Sequence, residues 1–245
     1  MLLAGCATHG DPRDPLEPLN RKFYAFNDAL DRYLMRPVAQ FYREVTPPVI
    51  DDAVTNFFAN IGEISSTANN LLQGDFGEGV EDLSRVVVNT TLGLGGLIDI
   101  GEELGLQRHE EDFGQTLAVW GIPPGPYLVV PFVGPRTLRH GAGDIVDGFA
   151  NPLNYTSLAV RLPTATLEAI DTRAGLLEET EIMERAALDP YEFLRNAYFQ
   201  RREYLIHDGQ VPLDHQFEEF EEELEALEET DQESSSEAQS GTTPP

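Results

Sequence analysis

Ala53-Val-Thr-Asn-Phe-Phe-Ala-Asn-Ile-Gly-Glu-Ile-Ser-Ser-Thr-Ala-Asn-Asn-Leu-Leu-Gln-Gly74 carries a single charge, Glu63. Spacing predicts a helix from Ile50 to Leu72, closed by Gly74. Phe57, Phe58, Ile61, Ile64, Leu71 and Leu72 spread widely around its wheel, with Asn56, Asn60, Ser65, Ser66, Thr67, Asn69 and Asn70 between them. A surface helix of a soluble protein normally has a charged outer face. Two readings are open: a helix buried centrally in a bundle, or one that lies in a membrane interface or lines a wet pore.

Outward from that helix, the chain keeps a helical rhythm. On the N-terminal side, apolar residues at 19, 23, 26, 30, 33 and 34 predict a helix over Leu19–Met35, and a shorter one follows over Val38–Val45 before Pro47-Pro48. On the C-terminal side, Phe76–Leu92, Asp112–Trp120 and Arg136–Ala150 read as helices. Pro163 is expected to open a helix through Glu181, and Met183–His207 to form another with a kink near Pro190. Two stretches break the pattern. Leu92-Gly-Leu-Gly-Gly-Leu97 is too rich in glycine for a rigid helix. Gln115–Gly134 has no charge but contains Pro123, Pro124, Pro126 and Pro131, so it is expected to be irregular or briefly extended. Its apolar side chains then need a core, or a lipid-facing place where protein satisfies the backbone. The class is mainly α.

Composition excludes several functions. The chain has 43 acidic against 16 basic residues, so it offers no basic surface for nucleic acid. Twelve of the acids fall between Asp214 and Glu237 with no Lys or Arg among them, which predicts an acidic helix fraying into a disordered tail over 214–245. Histidines at 9, 109, 140, 207 and 215 form no metal-ligand spacing. His140 and Asp144 are expected to pair at i,i+4. No nucleophile elbow or phosphate loop is present, so neither catalysis, metal nor cofactor is expected.

The one cysteine, Cys6, ends the run Leu2-Leu3-Ala4-Gly5-Cys6, which resembles the lipobox of bacterial lipoproteins. The preceding apolar stretch is shorter than a secretory signal requires, so residues 1–6 are expected to be the remnant of one. Residues 7–17, rich in Gly, Pro and Asp, are expected to tether the lipid to a helical domain over 18–213.

Taken together, Asp14-Pro-Leu-Glu-Pro-Leu-Asn-Arg21 with Phe26-Asn27, Arg36-Pro-Val-Ala39, Asn70-Leu-Leu-Gln-Gly-Asp75, Asn89–Asp99 and Asp112-Phe-Gly-Gln-Thr-Leu117 resemble the MlaA/VacJ family of outer-membrane lipoproteins. The collinear match continues through Gly125-Pro-Tyr127, Gly134-Pro135 with Arg139, Asp189-Pro-Tyr191 and Ala197-Tyr-Phe-Gln-Arg201. The resemblance implies a ring of amphipathic helices in the periplasmic-facing leaflet of the outer membrane, enclosing a channel beside a trimeric porin. It implies removal of misplaced phospholipid from the outer leaflet and delivery to a soluble periplasmic carrier, MlaC, with no cofactor. A porin- or envelope-binding scaffold without a lipid path is the alternative.

By the same resemblance Cys6 is the acylated anchor, and Leu92, Gly93, Leu94, Gly95, Gly96 and Leu97 form a gating hairpin in which Leu92 and Leu94 close and Gly93, Gly95 and Gly96 hinge. A plain tight turn is the other reading of that stretch. Phe26 and Asn27 fall on the lipid path. Arg139 either meets a phosphate headgroup or pairs with Asp144 or Asp147. Trp120 and Tyr127 are membrane-interface anchors or core aromatics.

Overall fold

A computed structural model describes residues 11–209. Cys6, the first part of the tether and the acidic stretch 214–245 lie outside the described residues. The chain divides into a compact unit ending at Ile206 and a second beginning at His207, and every described helix and strand belongs to the first.

Helix α1 (Glu17–Leu30) starts with Pro18 in its first turn and passes through a π turn (Asp31–Met35) into α2 (Arg36–Val45). Pro48 opens α3 (Pro48–Gln73), which ends on Gly74 in the left-handed region at φ 98°. The α3 limits lie within two residues of those expected from spacing. After α4 (Phe76–Thr91) come two short helices, α5 (Ile100–Glu103) and α6 (Phe113–Val119), each N-capped by an aspartate: Asp99 accepts from the Glu102 amide and Asp112 from the Gln115 amide. Next along the chain are β1 (Tyr127–Val130), β2 (Gly134–Thr137), α7 (Leu138–Ala150), a 3₁₀ turn (Pro152–Tyr155), α8 (Leu158–Gly175), α9 (Leu177–Ala186) and α10 (Pro190–Ile206). Among the described residues no helix is long and apolar enough to cross a membrane.

Several expectations are corrected. The proline-rich segment contains an antiparallel hairpin that pairs Tyr127 with Thr137 and Val130 with Gly134. Phe132 at φ 69° and Gly134 at φ 100° make its turn, and Pro135 sits on the two-stranded edge where a missing donor is tolerated. Helix α7 therefore begins at Leu138, with Thr137 as its cap, not at Arg136. Pro163 lies inside α8 as its sixth residue, where it removes one intrahelical donor, and does not open a helix. The expected kink at Pro190 is a complete break: Asp189 caps the Tyr191 amide at 2.9 Å and Pro190 opens α10. The described part of the tether is packed, because Asp14 is buried and Arg13 accepts a bond from the Tyr127 amide at 3.0 Å.

Packing closes a circuit. Helix α1 lies on β1, β2 on α7, α7 on α3, α3 on α8, α8 on α2, and α2 returns through the π turn to α1. The distribution of side chains in this ring is inverted relative to a water-soluble bundle. Among the described residues the buried apolar side chains are only Ala39, Tyr127, Val129, Ala174, Tyr191 and Tyr198, whereas seventeen polar or charged residues are buried. On α4, Asp82, Arg85 and Asn89 face inward at three- and four-residue spacing while Val80, Leu83 and Val87 face out. Helix α3 buries Asn60, Glu63, Ser66, Thr67, Asn69 and Asn70 and exposes Leu71 and Leu72. Of the readings of residues 53–74, the structure thus combines a central position with polar residues as the buried face.

Candidate functional site

The buried faces of α3 and α4 meet in a charged seam. Arg85 and Glu63, each 2% exposed, are joined by a bond from Nε to Oε1 of 2.8 Å. The same guanidinium donates to Asp99 Oδ2 at 2.7 Å and to the Leu106 carbonyl at 2.7 Å. Arg108 repeats the pattern from the connecting segment, donating to Glu63 Oε1 and to Asp99 Oδ2, both at 2.9 Å. Two arginines and two carboxylates therefore form a neutral quartet. Burial opposes the charge on Arg85, but its bonds to Glu63 and Asp99 outweigh this and hold its pKa above the ordinary value. Burial likewise pushes Asp99 upward, and the Glu102 amide, Arg85 and Asn89 together hold it below the usual carboxylate range. Asn89 completes the cluster: its Nδ2 donates to Asp99 Oδ1 at 3.0 Å and its Oδ1 accepts from the Gly101 amide at 2.8 Å.

Asp99 ends the segment that follows the glycine-rich turn, so the quartet fixes one root of that turn. The other root is the end of α4. Between them the Gly93 amide donates to Val88, Gly95 to Thr90, Gly96 to Asn89, and Ile98 to Gly93, at 2.9–3.2 Å. Close approach requires glycine at two positions. A Cβ on Gly93 would lie 2.1 Å from the Ile98 carbonyl oxygen, and one on Gly96 2.7 Å from Asn60 Nδ2. Leu92, Leu94 and Leu97 project as exposed side chains, and Leu94 itself stands at φ 55°. The geometry is a hydrogen-bonded tight turn seated on Asn60, which in turn donates to Thr90 Oγ1 at 3.1 Å.

Other interior carboxylates are spent on joining elements. Asp82 accepts from Asn70 at 2.8 Å and lies 3.0 Å from His109 Nδ1. Asp147 on α7 accepts from Ser65 at 2.6 Å, Asn69 at 2.9 Å and the Phe113 amide at 2.9 Å. His140 does approach Asp144, at 3.4 Å from Nε2, and its Nδ1 lies 3.0 Å from the Tyr198 hydroxyl.

The remaining residues singled out by sequence fall elsewhere. Phe26 is partly exposed and meets Phe132 edge-on at 5.2 Å. Asn27 clamps the hairpin tip, donating to the Val130 carbonyl at 3.0 Å and accepting from the Phe132 amide at 2.8 Å. Trp120 is half exposed and its indole donates to the Leu72 carbonyl at 3.2 Å. Tyr127 is fully buried among Tyr191, Tyr198 and Phe199, so it is a core aromatic and not an interface anchor. Arg139 pairs with neither Asp144 nor Asp147: Arg136 takes Asp144 at 2.6 Å, and Arg139 donates to the Ile122 carbonyl at 2.7 Å. A cavity of about 540 Å³ between α2 and α9, lined by Arg36, Gln40, Arg43, Glu178 and Glu184 among others, shares no residue with the seam.

Sequence reasoning missed Arg85, Asp99, Arg108 and Asn20. Asn20 donates to Asp14 at 2.7 Å and to the Tyr127 carbonyl at 3.0 Å, and accepts from the Val129 amide at 3.0 Å. Its spacing of seven from Asn27 places both amides on one face of α1, a signal that was available.

The family pattern described as "MlaA lipoprotein" matches residues 12–205. The chain is 40% identical over 218 residues to the "Intermembrane phospholipid transport system lipoprotein MlaA" of Escherichia coli K12, covering 86% of each chain. Against the protein of the same name from Haemophilus influenzae it is 31% identical, over 85% of this chain and 88% of the other. Its fold matches that of a chain solved in work on the "structural basis for maintenance of bacterial outer membrane lipid asymmetry", with TM-score 0.71 and 38% identity over 79% of this chain and 98% of that one. With the inverted ring, the glycine turn and both asparagine clamps in place, the chain belongs to the MlaA lipoprotein family.

Proposed function

We propose that this protein is an outer-membrane lipoprotein that removes misplaced phospholipid from the outer leaflet and passes it to the periplasmic carrier MlaC. Acylated Cys6 and the exposed apolar faces of the helices hold the ring in the periplasmic-facing leaflet, beside a trimeric porin. The observation that carries the reading is the inversion: apolar side chains such as Phe41, Val87, Ile145 and Phe149 face outward, and charged and amide side chains face inward. Such a surface suits a surrounding of acyl chains, and such an interior suits a polar headgroup in transit. The relatives named as phospholipid transport lipoproteins support the same reading.

In this proposal Leu92, Leu94 and Leu97 close the lipid path. The turn gates by opening between Leu92 and Leu97, with Gly95, which stands in open space, supplying the hinge freedom and close packing at Gly93 and Gly96 holding the closed form. Phe26 and Asn27 keep the hairpin tip in register beside the path. Trp120 is an interface anchor, and Arg139, which donates to the Ile122 carbonyl, receives a phosphate. No covalent step and no cofactor are involved.

One observation favours the scaffold reading, namely the dense backbone bonding of residues 93–98. The decisive experiment is complementation of a Gram-negative strain lacking its own relative, with this chain behind a complete lipoprotein signal, followed by surface labelling of outer-leaflet phospholipid. Transport predicts that the outer leaflet is cleared, and that cross-linking cysteines introduced at Leu92 and Leu97 abolishes clearance. Correct localisation with an uncleared leaflet, or full activity of the cross-linked form, would favour the scaffold.

A further inference from the structure

Two acceptors in the seam lack donors among the described residues, although the other polar atom of each side chain is used. Glu63 is 2% exposed; its Oε1 takes both Arg85 and Arg108, while its Oε2 has no hydrogen-bond partner. Asn60 is 6% exposed; its Nδ2 reaches Thr90, while its Oδ1 has none. The two residues are three apart on α3, which sets their side chains side by side on one face. A buried acceptor without a donor is costly to leave unmatched, more so on a carboxylate. Both lie at the glycine turn, since Gly96 rests on Asn60 and Asp99 shares its arginines with Glu63.

From this juxtaposition we propose that Asn60 and Glu63 form a headgroup-reading site, covered by the glycine turn, for a phospholipid whose headgroup donates hydrogen bonds. The inference rests on the transport reading above and adds selectivity to it. A primary ammonium supplies N–H donors to Glu63 Oε2 and Asn60 Oδ1; a trimethylammonium supplies none and is bulkier. Charge favours a zwitterion as well. The quartet is neutral, so an ethanolamine headgroup adds no net charge to it, and Arg108, about one-third exposed, is the cation best placed for the phosphate. A glycerol headgroup has hydroxyl donors but brings a net negative charge.

The test uses the full-length acylated protein incubated with vesicles containing equal amounts of phosphatidylethanolamine, phosphatidylcholine and phosphatidylglycerol with matched acyl chains. Lipid retained on the affinity-purified protein is quantified by mass spectrometry. Loss of a hydrogen bond to a buried charged group predicts that the ethanolamine lipid is retained over the choline lipid by about tenfold or more. Asn60→Ala is expected to shrink that ratio several-fold while keeping the quartet, and Glu63→Gln to shrink it further. Equal retention of ethanolamine and choline lipids by wild type overturns the headgroup site and leaves lipid binding intact. Retention of the glycerol lipid equal to that of the ethanolamine lipid overturns the ammonium assignment. Retention of no lipid overturns the transport reading together with this inference. Because the wild-type ratio alone decides, a variant that fails to fold does not rescue the idea.

Discussion

The molecule has two interiors built on opposite principles. Around the hairpin, Tyr127, Val129, Tyr191 and Tyr198 form a small apolar core, with Phe23, Tyr24 and Phe199 packed against it. Under the glycine turn, Arg85, Glu63, Asp99, Arg108 and Asn89 form an interior held by charge and amide bonds. The first resembles the core of any small domain and makes the hairpin rigid through shape. The second gains nothing from dispersing water around apolar surface, and its stability depends on every partner being present. A protein whose outside is apolar can concentrate polar groups within and use its few aromatics where a backbone without helical bonds must be pinned.

That contrast predicts different responses to single substitutions. The largest loss is expected for Arg85→Met, which leaves buried Glu63 with one of its two donors and Asp99 with three of its four. A cost of about 3–5 kcal/mol is expected, read as a lowered urea midpoint in detergent. A wild-type midpoint would mean that the seam is hydrated and that the contrast between the two interiors is false.

At the junction of the two principles, Asn20→Ala should cost about 1–3 kcal/mol, because the Tyr127 carbonyl and Val129 amide are left without their partner. Asn27→Ala should cost less, since the Phe132 end of the hairpin is exposed. Chemical denaturation of the two variants side by side tests the order, and a reversed order would place the weight of the clamp at the tip.

A smaller effect is expected with pH. Burial first, and then Arg202 and Arg136 against Asp112 and Asp144, bring the His140 pKa from 6.5 down to about 4. Between those values the unfolded chain holds a proton on this residue that the folded chain does not. Stability from His140 is therefore complete above about pH 6.5, declines as pH falls through that window and levels off below about 4. His140→Gln should flatten this part of the stability profile; a slope unchanged by the substitution would assign it to other groups.

The smallest effect sharpens the comparison most. The Tyr127 hydroxyl is buried with no hydrogen-bond partner among the described residues, so Tyr127→Phe is expected to be neutral or stabilising, within about 1 kcal/mol. In the charged seam no comparable deletion should be harmless. A loss above about 2 kcal/mol would show that the aromatic core also depends on a polar contact.

How far these features were legible in the chain depends on their range. Helix α3 was legible because its caps and periodicity are local: Pro48 starts it and Gly74 ends it. The break at residues 92–97 was legible for the same reason, since its three glycines lie within a few residues, but the close packing of Gly93 and Gly96 was not, because the Asn60 contact comes from another helix. The hairpin over 127–137 was expected only as extended or irregular chain. Its prolines mask the alternation that marks a strand, and its pairing is completed from outside by Asn20 and Asn27. The boundaries at Pro163 and Pro190 went astray because proline within the first turns of a helix and proline opening one look alike in sequence.

What the sequence determined by itself was the helical class, the absence of a charged outer face on α3, and the order of motifs that marks the MlaA family. Which face of each helix turns inward was decided only by tertiary structure. A pattern of apolar and polar residues fixes two faces of a helix but does not say which one meets its neighbours. That choice belongs to partners distant in the chain, such as Glu63 for Arg85 and Asp147 for Ser65 and Asn69. The same reason separates Tyr127 from Trp120, two aromatics from one segment: one is enclosed by α10 and the other remains half exposed.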